Sequence, residues 1–269
     1  MQQYRDTDYA AVSAALHARE AKLLTQAMAE RMIDAATPDE SYKTLLECGY
    51  APLERCTLEN VEHALSQARR ELYREVSVLA PDKRIVELFQ IKYDYHNAKL
   101  ALKSKRGGED VSRLAMDCGR FDAQEVLRGE TSAVSAAMSR AMAQAESEAG
   151  HSGDVRMAEL LLDRACYEEM SALADETGSA FLKDYVALQI DAINLRTLVR
   201  AQRMGCEDDV FAAAMLPGGH IPAGQLKGAR GDHLSSLTHG TPLDGAGELA
   251  AKLLDGGGSL TEFERACDD

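Results

Sequence analysis

Tryptophan is absent from this 269-residue chain and aromatic residues supply only 5% of it. That scarcity disfavours a sheet-rich fold, because aromatic and β-branched side chains populate strands. No run of about 18 apolar residues occurs, so no segment is expected to span a bilayer. The six cysteines (Cys48, Cys56, Cys118, Cys166, Cys206 and Cys267) are scattered without a C-x-x-C pair, and the N-terminal MQQYRDTDYA is polar and charged. A reducing cytoplasm is the natural compartment for such a chain. Basic residues are in deficit, with 30 Lys plus Arg against 44 Asp plus Glu and a formal net charge of −14. A nonspecific phosphate-backbone binder needs the opposite balance, so nucleic acid is not expected as a partner.

What is present favours helix. Ala, Leu, Glu, Arg and Met dominate, and a hydrophobic content of 45% is ample for a core. The expectation is an all-α protein. A first long helix is expected over about Thr7 to Ala35, where apolar periodicity runs without Gly or Pro. Thr37-Pro38-Asp39-Glu40 reads as a new start: N-cap, Pro at the first helical position, and an acid placed to close a capping box. Thr57 caps a further helix through Val78, with Val61, Leu65, Ala68 and Leu72 on one face. A long Ala-rich helix is expected from Thr131 to about Ala149 and another from Asp154 to Ala174. After Gly205, the glycine-rich stretches at 217–224, 240–247 and 255–259 break the chain into short helices, with Ser259 and Glu262 forming one more capping box.

One segment occurs twice. Residues 84–108 (RIVELFQIKYDYHNAKLALKSKRGG) and 181–205 (FLKDYVALQIDAINLRTLVRAQRMG) align without a gap at an offset of 97. Asp94 falls on Asp191, Asn97 on Asn194, Arg106 on Arg203 and Gly108 on Gly205, while Lys99 and Lys103 fall on Arg196 and Arg200. Leu88, Ile91, Tyr95, Ala98 and Leu102 correspond to Tyr185, Leu188, Ala192, Leu195 and Val199, a 3/4 spacing that draws one stripe on one helix. Both copies close on basic residues and a glycine, as a helix C-terminus favours. Because the elements before each copy also follow a parallel order, three units are expected: 1–108, 109–205 and a partial unit at 206–269. A third copy of Asp94 would fall 97 residues past Asp191, beyond Asp269. The last unit is then incomplete, so either one side of the assembly is open or the sequence is a fragment; a fragment is the expectation, since an unpaired last unit would expose apolar faces from helices such as Leu249 to Leu254.

The repeat helices also carry apolar residues on other faces (Phe89, Tyr93 and Leu100; Val186, Ile190 and Ile193), so they should be largely buried. Asp94 with Asn97, and Asp191 with Asn194, lie three apart on one flank, and a buried carboxylate needs a cation or several donors. The structural reading has each Asp accepting from Arg, Lys or backbone groups of a neighbouring helix. The chemical alternative is a carboxylate- and metal-dependent helical enzyme in which the two Asp residues converge on one ion. The seven histidines show no H-E-x-x-H, and His96 is replaced by Ile193 in the second copy, which argues against an indispensable proton carrier. Residues 219–224 (GHIPAG) have the glycine spacing of a phosphate loop, but Gln225-Leu226 stands where Lys-Ser/Thr should be, so a turn is expected there. Glu207-Asp208-Asp209 and Cys267-Asp268-Asp269 read as solvated acidic ends. No catalytic residue, cofactor or metal site is expected.

The segments KYDYHNAKLALKSK and ALQIDAINLRTLVRA resemble the central-stalk component of V-type ATPases that is lettered C in prokaryotes and d in eukaryotes. The resemblance implies a funnel of three similar helical bundles around a pseudo-threefold axis, the third incomplete here. It also implies a non-catalytic rotor component that sits on the cytoplasmic face of the membrane rotor ring, receives the central shaft, and touches the membrane only through its partners. Asp94, Asn97, Lys99, Asp191, Asn194 and Arg196 would then be a structural signature. Lys103, Lys105, Arg106, Arg200 and Arg203 could form a partner-facing rim, although helix-dipole complementation explains them as well. A helical scaffold of another complex is the remaining alternative.

Overall fold

Every regular element among the described residues is helical. The computed structural model describes residues 4–108, 110–153, 155–205 and 208–269. In chain order the helices are α1 (Ala10–Glu20), α2 (Gln26–Ile33), α3 (Pro38–Glu47), α4 (Leu58–Leu79), α5 (Lys83–Gly107), α6 (Ala123–Leu127), α7 (Ala136–Ser152) and α8 (Val155–Thr177). There follow α9 (Ala180–Met204), α10 (Asp208–Ala214), α11 (Ala223–Leu226), α12 (Gly231–Thr238), α13 (Asp244–Leu254) and α14 (Leu260–Asp268). The expected start at Asp154, together with Met1–Gln3, Cys206, Glu207 and the side chains of Asp208 and Asp209, lies outside the described residues.

The single long helix expected at the N-terminus is instead two. Thr25 adopts extended backbone and accepts the Met28 N–H on its Oγ1 at 3.3 Å, restarting the chain as α2. Periodicity alone did not hold the helix together because there is little to pack against: α1 buries only Val12, and Leu23 stays 65% exposed. The next start is as expected. Thr37 Oγ1 accepts the Glu40 N–H at 3.2 Å, while Glu40 reaches one residue further back, to the Ala36 N–H at 3.2 Å. Thr57 caps α4 through the Asn60 N–H at 3.2 Å. The Ala-rich helix begins at Ser135 rather than Thr131, since the Ser135 hydroxyl captures the Met138 N–H at 3.1 Å and Thr131–Ala133 form a separate 3-10 turn. At α14, Ser259 Oγ accepts the Glu262 N–H at 3.4 Å, one half of the expected capping box.

Two apolar cores organise the packing. The first gathers Leu88, Ile91, Tyr95, Ala98 and Leu102 of α5 with Val126 of α6, Met138 to Ala149 of α7, and Ala158 to Ala174 of α8. It also takes in Leu182, Val186 and Ile190 from the N-terminal half of α9. The second gathers Ala192, Leu195, Leu198 and Val199 from the other half of α9 with Phe211, Ile221, Leu226, Leu234, Phe263 and side chains of α13. The apolar face around Leu249 to Leu254 that an unpaired last unit would expose is covered here: α13 buries Ala246, Gly247, Ala250, Ala251 and Leu253, of which Ala246, Ala250 and Leu253 join the second core. Gly247 makes this possible, because its bare Cα packs against the Thr238 side chain of α12 with no room for a Cβ.

Candidate functional site

The two repeat helices hold their acid and amide in matched surroundings. On α5, Asp94 and Asn97 are fully buried at 0% exposure. Asp94 Oδ1 accepts the backbone N–H groups of Arg120 at 2.9 Å and Phe121 at 3.3 Å, and Oδ2 accepts from Arg120 Nε at 2.7 Å. Asn97 binds one peptide unit at both ends, donating to the Met116 carbonyl and accepting the Met116 N–H, each at 2.9 Å. On α9, Asp191 accepts the N–H groups of His220 at 2.9 Å and Ile221 at 3.0 Å. Asn194 grips Leu216 in the same two-ended way, at 2.8 Å for both bonds. Each helix thus clamps a strap of irregular backbone that follows it in the chain, 116–121 or 216–221, satisfying peptide groups that no helix ladder serves.

A glycine makes each approach possible. A Cβ on Gly119 would lie 2.2 Å from Asp94 Oδ1, and one on Gly219 would lie 2.0 Å from Asp191 Oδ1. The duplication therefore extends past the helix to MDCGRFDA (116–123) and LPGGHIPA (216–223), which share only Gly119/Gly219 and Ala123/Ala223. The straps are offset by 100 rather than 97, because Asn97 precedes its captured residue by 19 positions and Asn194 by 22. The phosphate-loop look-alike at 219–224 turns out to begin within the second strap. Arg120, Gly119 and Gly219 were missed at the sequence level; the glycine following each acid, 25 and 28 residues on, was the available signal.

Several basic residues of the repeat pair with acids of a neighbouring helix. Lys99 pairs with Asp163 at 2.7 Å and Lys103 with Glu159 at 2.6 Å, both on α8. Arg200 pairs with Glu264 at 2.7 Å, and Arg196 pairs with Glu264 at 2.8 Å and also with Asp268, both on α14. The antiparallel pattern is the same, so α14 stands to α9 as the first turns of α8 stand to α5. Asp268, expected to be a solvated end, has a side chain 75% exposed and also takes part in this pairing. Lys105 pairs with Glu146, Arg106 donates to the Glu146 carbonyl at 3.4 Å, and Arg203 is exposed.

The electrostatics differ between the clamps. Burial pushes the Asp94 carboxyl up, while Arg120 and the two N–H donors pull it down. Arg120 also binds Glu169 of α8 at 2.9 Å, and Glu169 accepts from Tyr95 of α5 at 2.8 Å, which closes a relay from Asp94 back to its own helix. Asp191 has no such partner: burial raises its carboxyl against only the Ile221 and His220 amides and the weaker pull of the His220 charge, whose ring turns to Asp184 at 3.0 Å. Cradles lined by N–H groups suit a carboxylate and repel a cation. Among the described residues no group of three or more His, Cys, Asp or Glu is placed to hold a metal ion.

Comparison with known proteins places this arrangement. The sequence model of the family described as ATP synthase (C/AC39) subunit matches residues 12–269. The C subunit of the V-type ATP synthase of Thermus thermophilus is 27% identical over 258 residues, covering 88% of this chain and 77% of that protein. The C subunit of the V-type sodium ATPase of Enterococcus hirae is 21% identical, covering 86% and 72%. The C subunit of the A-type ATP synthase of Desulfurococcus is 24% identical, covering 81% and 64%. With a match spanning nearly the whole length, both clamps included, the chain belongs to the ATP synthase (C/AC39) subunit family, as a non-catalytic member of the V/A-type complex.

Proposed function

We propose that this chain is the rotor component that couples the central shaft of a V-type ATP synthase or ATPase to its membrane rotor ring. A torque-bearing adaptor must be stiff and must present two contact surfaces, and interlocked helical cores supply stiffness through close packing. The observation that carries the reading is the pair of long buried rods, α5 and α9, each locked to its following strap by the same acid-and-amide clamp. Similar bundles built on such rods are what a funnel around a pseudo-threefold axis requires, with units at 1–108, 109–205 and 206–269. The acidic surface favours basic faces on the partners and speeds their encounter. Among the described residues no helix is long and apolar enough to cross a membrane, which accords with attachment through the ring.

Within a partner-facing rim, Lys103, Lys105 and Arg200 already hold internal acids, so Arg106 and Arg203 are the positions to test. The experiment is affinity capture from native membranes with the tagged chain. Ring and shaft proteins are expected together; recovery of neither overturns the coupling role. A double reversal, Arg106→Glu with Arg203→Glu, should reduce recovery of the ring, and undiminished recovery removes the rim while leaving the coupling role standing.

A further inference from the structure

The two straps are fastened differently, and the charged part of the difference lies in one side chain. In the second copy, strap 216–221 meets Asp191 and Asn194 through main chain: His220 and Ile221 give N–H groups to Asp191, and Leu216 gives both its peptide groups to Asn194. The His220 side chain adds a surface pair with Asp184 of α9 at 3.0 Å, which ties the strap only to the helix that already clamps it. Buried Leu216 and Ile221 add apolar anchorage, and just before the strap Arg164 of α8 donates to the Ala213 and Met215 carbonyls at 3.2 and 3.3 Å. In the first copy the equivalent of His220 is Arg120, whose guanidinium reaches two helices at once: Nε binds Asp94 of α5 at 2.7 Å and Nη1 binds Glu169 of α8 at 2.9 Å. Its Cζ lies 4.8 Å from the centre of the Phe121 ring, within the strap itself. Gln90 of α5 adds two bonds to the same strap, at the Cys118 and Gly119 carbonyls, each 3.1 Å.

We infer that Arg120 is a positioning residue that bolts strap 116–121 to α8, so that α5, the strap and α8 open and move as one cooperative unit, whereas strap 216–221 opens on its own. Any excursion of the first strap must break two charge-assisted pairs and leave Asp94 and Glu169 facing each other without their shared cation. An excursion of residues 216–221 breaks hydrogen bonds and one exposed ion pair to α9, while the bonds from Arg164 of α8 fall on the Ala213 and Met215 carbonyls just before them. The inference does not rest on the coupling role proposed above, and its test is made on the isolated protein.

The test is native-state hydrogen exchange of the 269-residue protein in increasing, sub-denaturing urea, which sorts amides into cooperative opening units by their denaturant dependence. The Arg120 and Phe121 amides should share the opening energy and urea slope of the α8 amides, for example those of Leu162, Cys166 and Met170. The His220 and Ile221 amides should exchange with a smaller slope than the α9 amides of Leu195 and Leu198. Arg120→His, which gives the first strap the residue of the second, should cut protection at residue 121 by at least about tenfold while α8 amides change by less than about threefold. Arg120→Lys, which keeps a cation but cannot fork to both acids, should fall between. His220→Ala, which removes only a pair whose side chains are 51% and 75% exposed, should lower protection at Ile221 by less than about threefold. Three results overturn the inference: protection at Phe121 unchanged in Arg120→His, a parallel fall in strap and α8 amides, or a fall of about tenfold or more at Ile221 in His220→Ala.

Discussion

Gly219 faces Asp191 so closely that a methyl group added to the glycine would sit 2.0 Å from the carboxylate oxygen Oδ1. Gly119 stands in the same relation to Asp94, at 2.2 Å. Neither obstacle is the far end of a flexible chain, since both carboxylates are pinned by N–H donors. Gly119→Ala and Gly219→Ala should each destabilise by about 2–3 kcal/mol through overpacking at a buried polar contact. Gly224→Ala, where no atom lies within 4 Å of the new methyl, should change stability by less than about 0.5 kcal/mol. Urea unfolding midpoints check the three together.

Asn194 is both donor and acceptor to Leu216, which makes its chemistry more exacting than its size. Asn194→Ala should cost about 2 kcal/mol, the penalty of leaving a buried N–H and a buried carbonyl without partners. Asn194→Asp, nearly isosteric, should cost more than the alanine at neutral pH, because it turns an acceptor toward the Leu216 carbonyl and adds a second buried carboxylate beside Asp191. Thermal melts of the two variants decide the order.

Two acids should influence stability with opposite signs of pH. The Arg84 guanidinium holds Asp82, the N-cap of α5, below the ordinary value of 3.8. Its contribution is therefore present above that value and lost as pH falls through the depressed one. Burial raises Asp191 above 3.8, so its contribution is fully present below 3.8 and lost as pH rises through the raised value. The melting-temperature deficit of Asp82→Asn should thus be clear at about pH 6 and fade toward pH 2, and the deficit of Asp191→Asn should be largest near pH 4 and narrow toward pH 7. Parallel pH dependence in the two variants would contradict the assignment.

Glu264 gathers Arg196 and Arg200 of α9 onto α14. Both Arg196 and Glu264 are mostly covered, at 19% and 26% side-chain exposure, but the cluster sits at the surface. Glu264→Gln should cost about 1 kcal/mol or less, and the loss should shrink in molar salt. A deficit independent of salt would show that packing of α14, rather than charge, sets its attachment.

The duplicated rod was legible in the sequence because burial constrains a long helix twice over: its stripe must stay apolar, and its lone acid and amide must stay where donors await them. Lys99 and Arg196 could be aligned, but not their partners, since Asp163 and Asp268 lie on helices whose own sequences have diverged. The straps escaped notice for a physical reason. Asp94 and Asp191 bind peptide groups, which every residue carries, so the captured segments needed to retain only the glycine that lets the carboxylate in. The broken first helix was misread because periodicity promises an apolar face without saying whether anything covers it.

Asp191 occupies the seam of the molecule. Just before it, Ile190 belongs to one apolar core, and just after it, Ala192 belongs to the other. The rod α9 is consequently a beam common to two rooms, and no cut within it yields two pieces that each keep a whole wall. Separate expression of the chain on either side of Asp191 should give two insoluble products, while a nick in the exposed loop at Gly256–Gly258 should leave the short C-terminal piece, α14, docked on the rest.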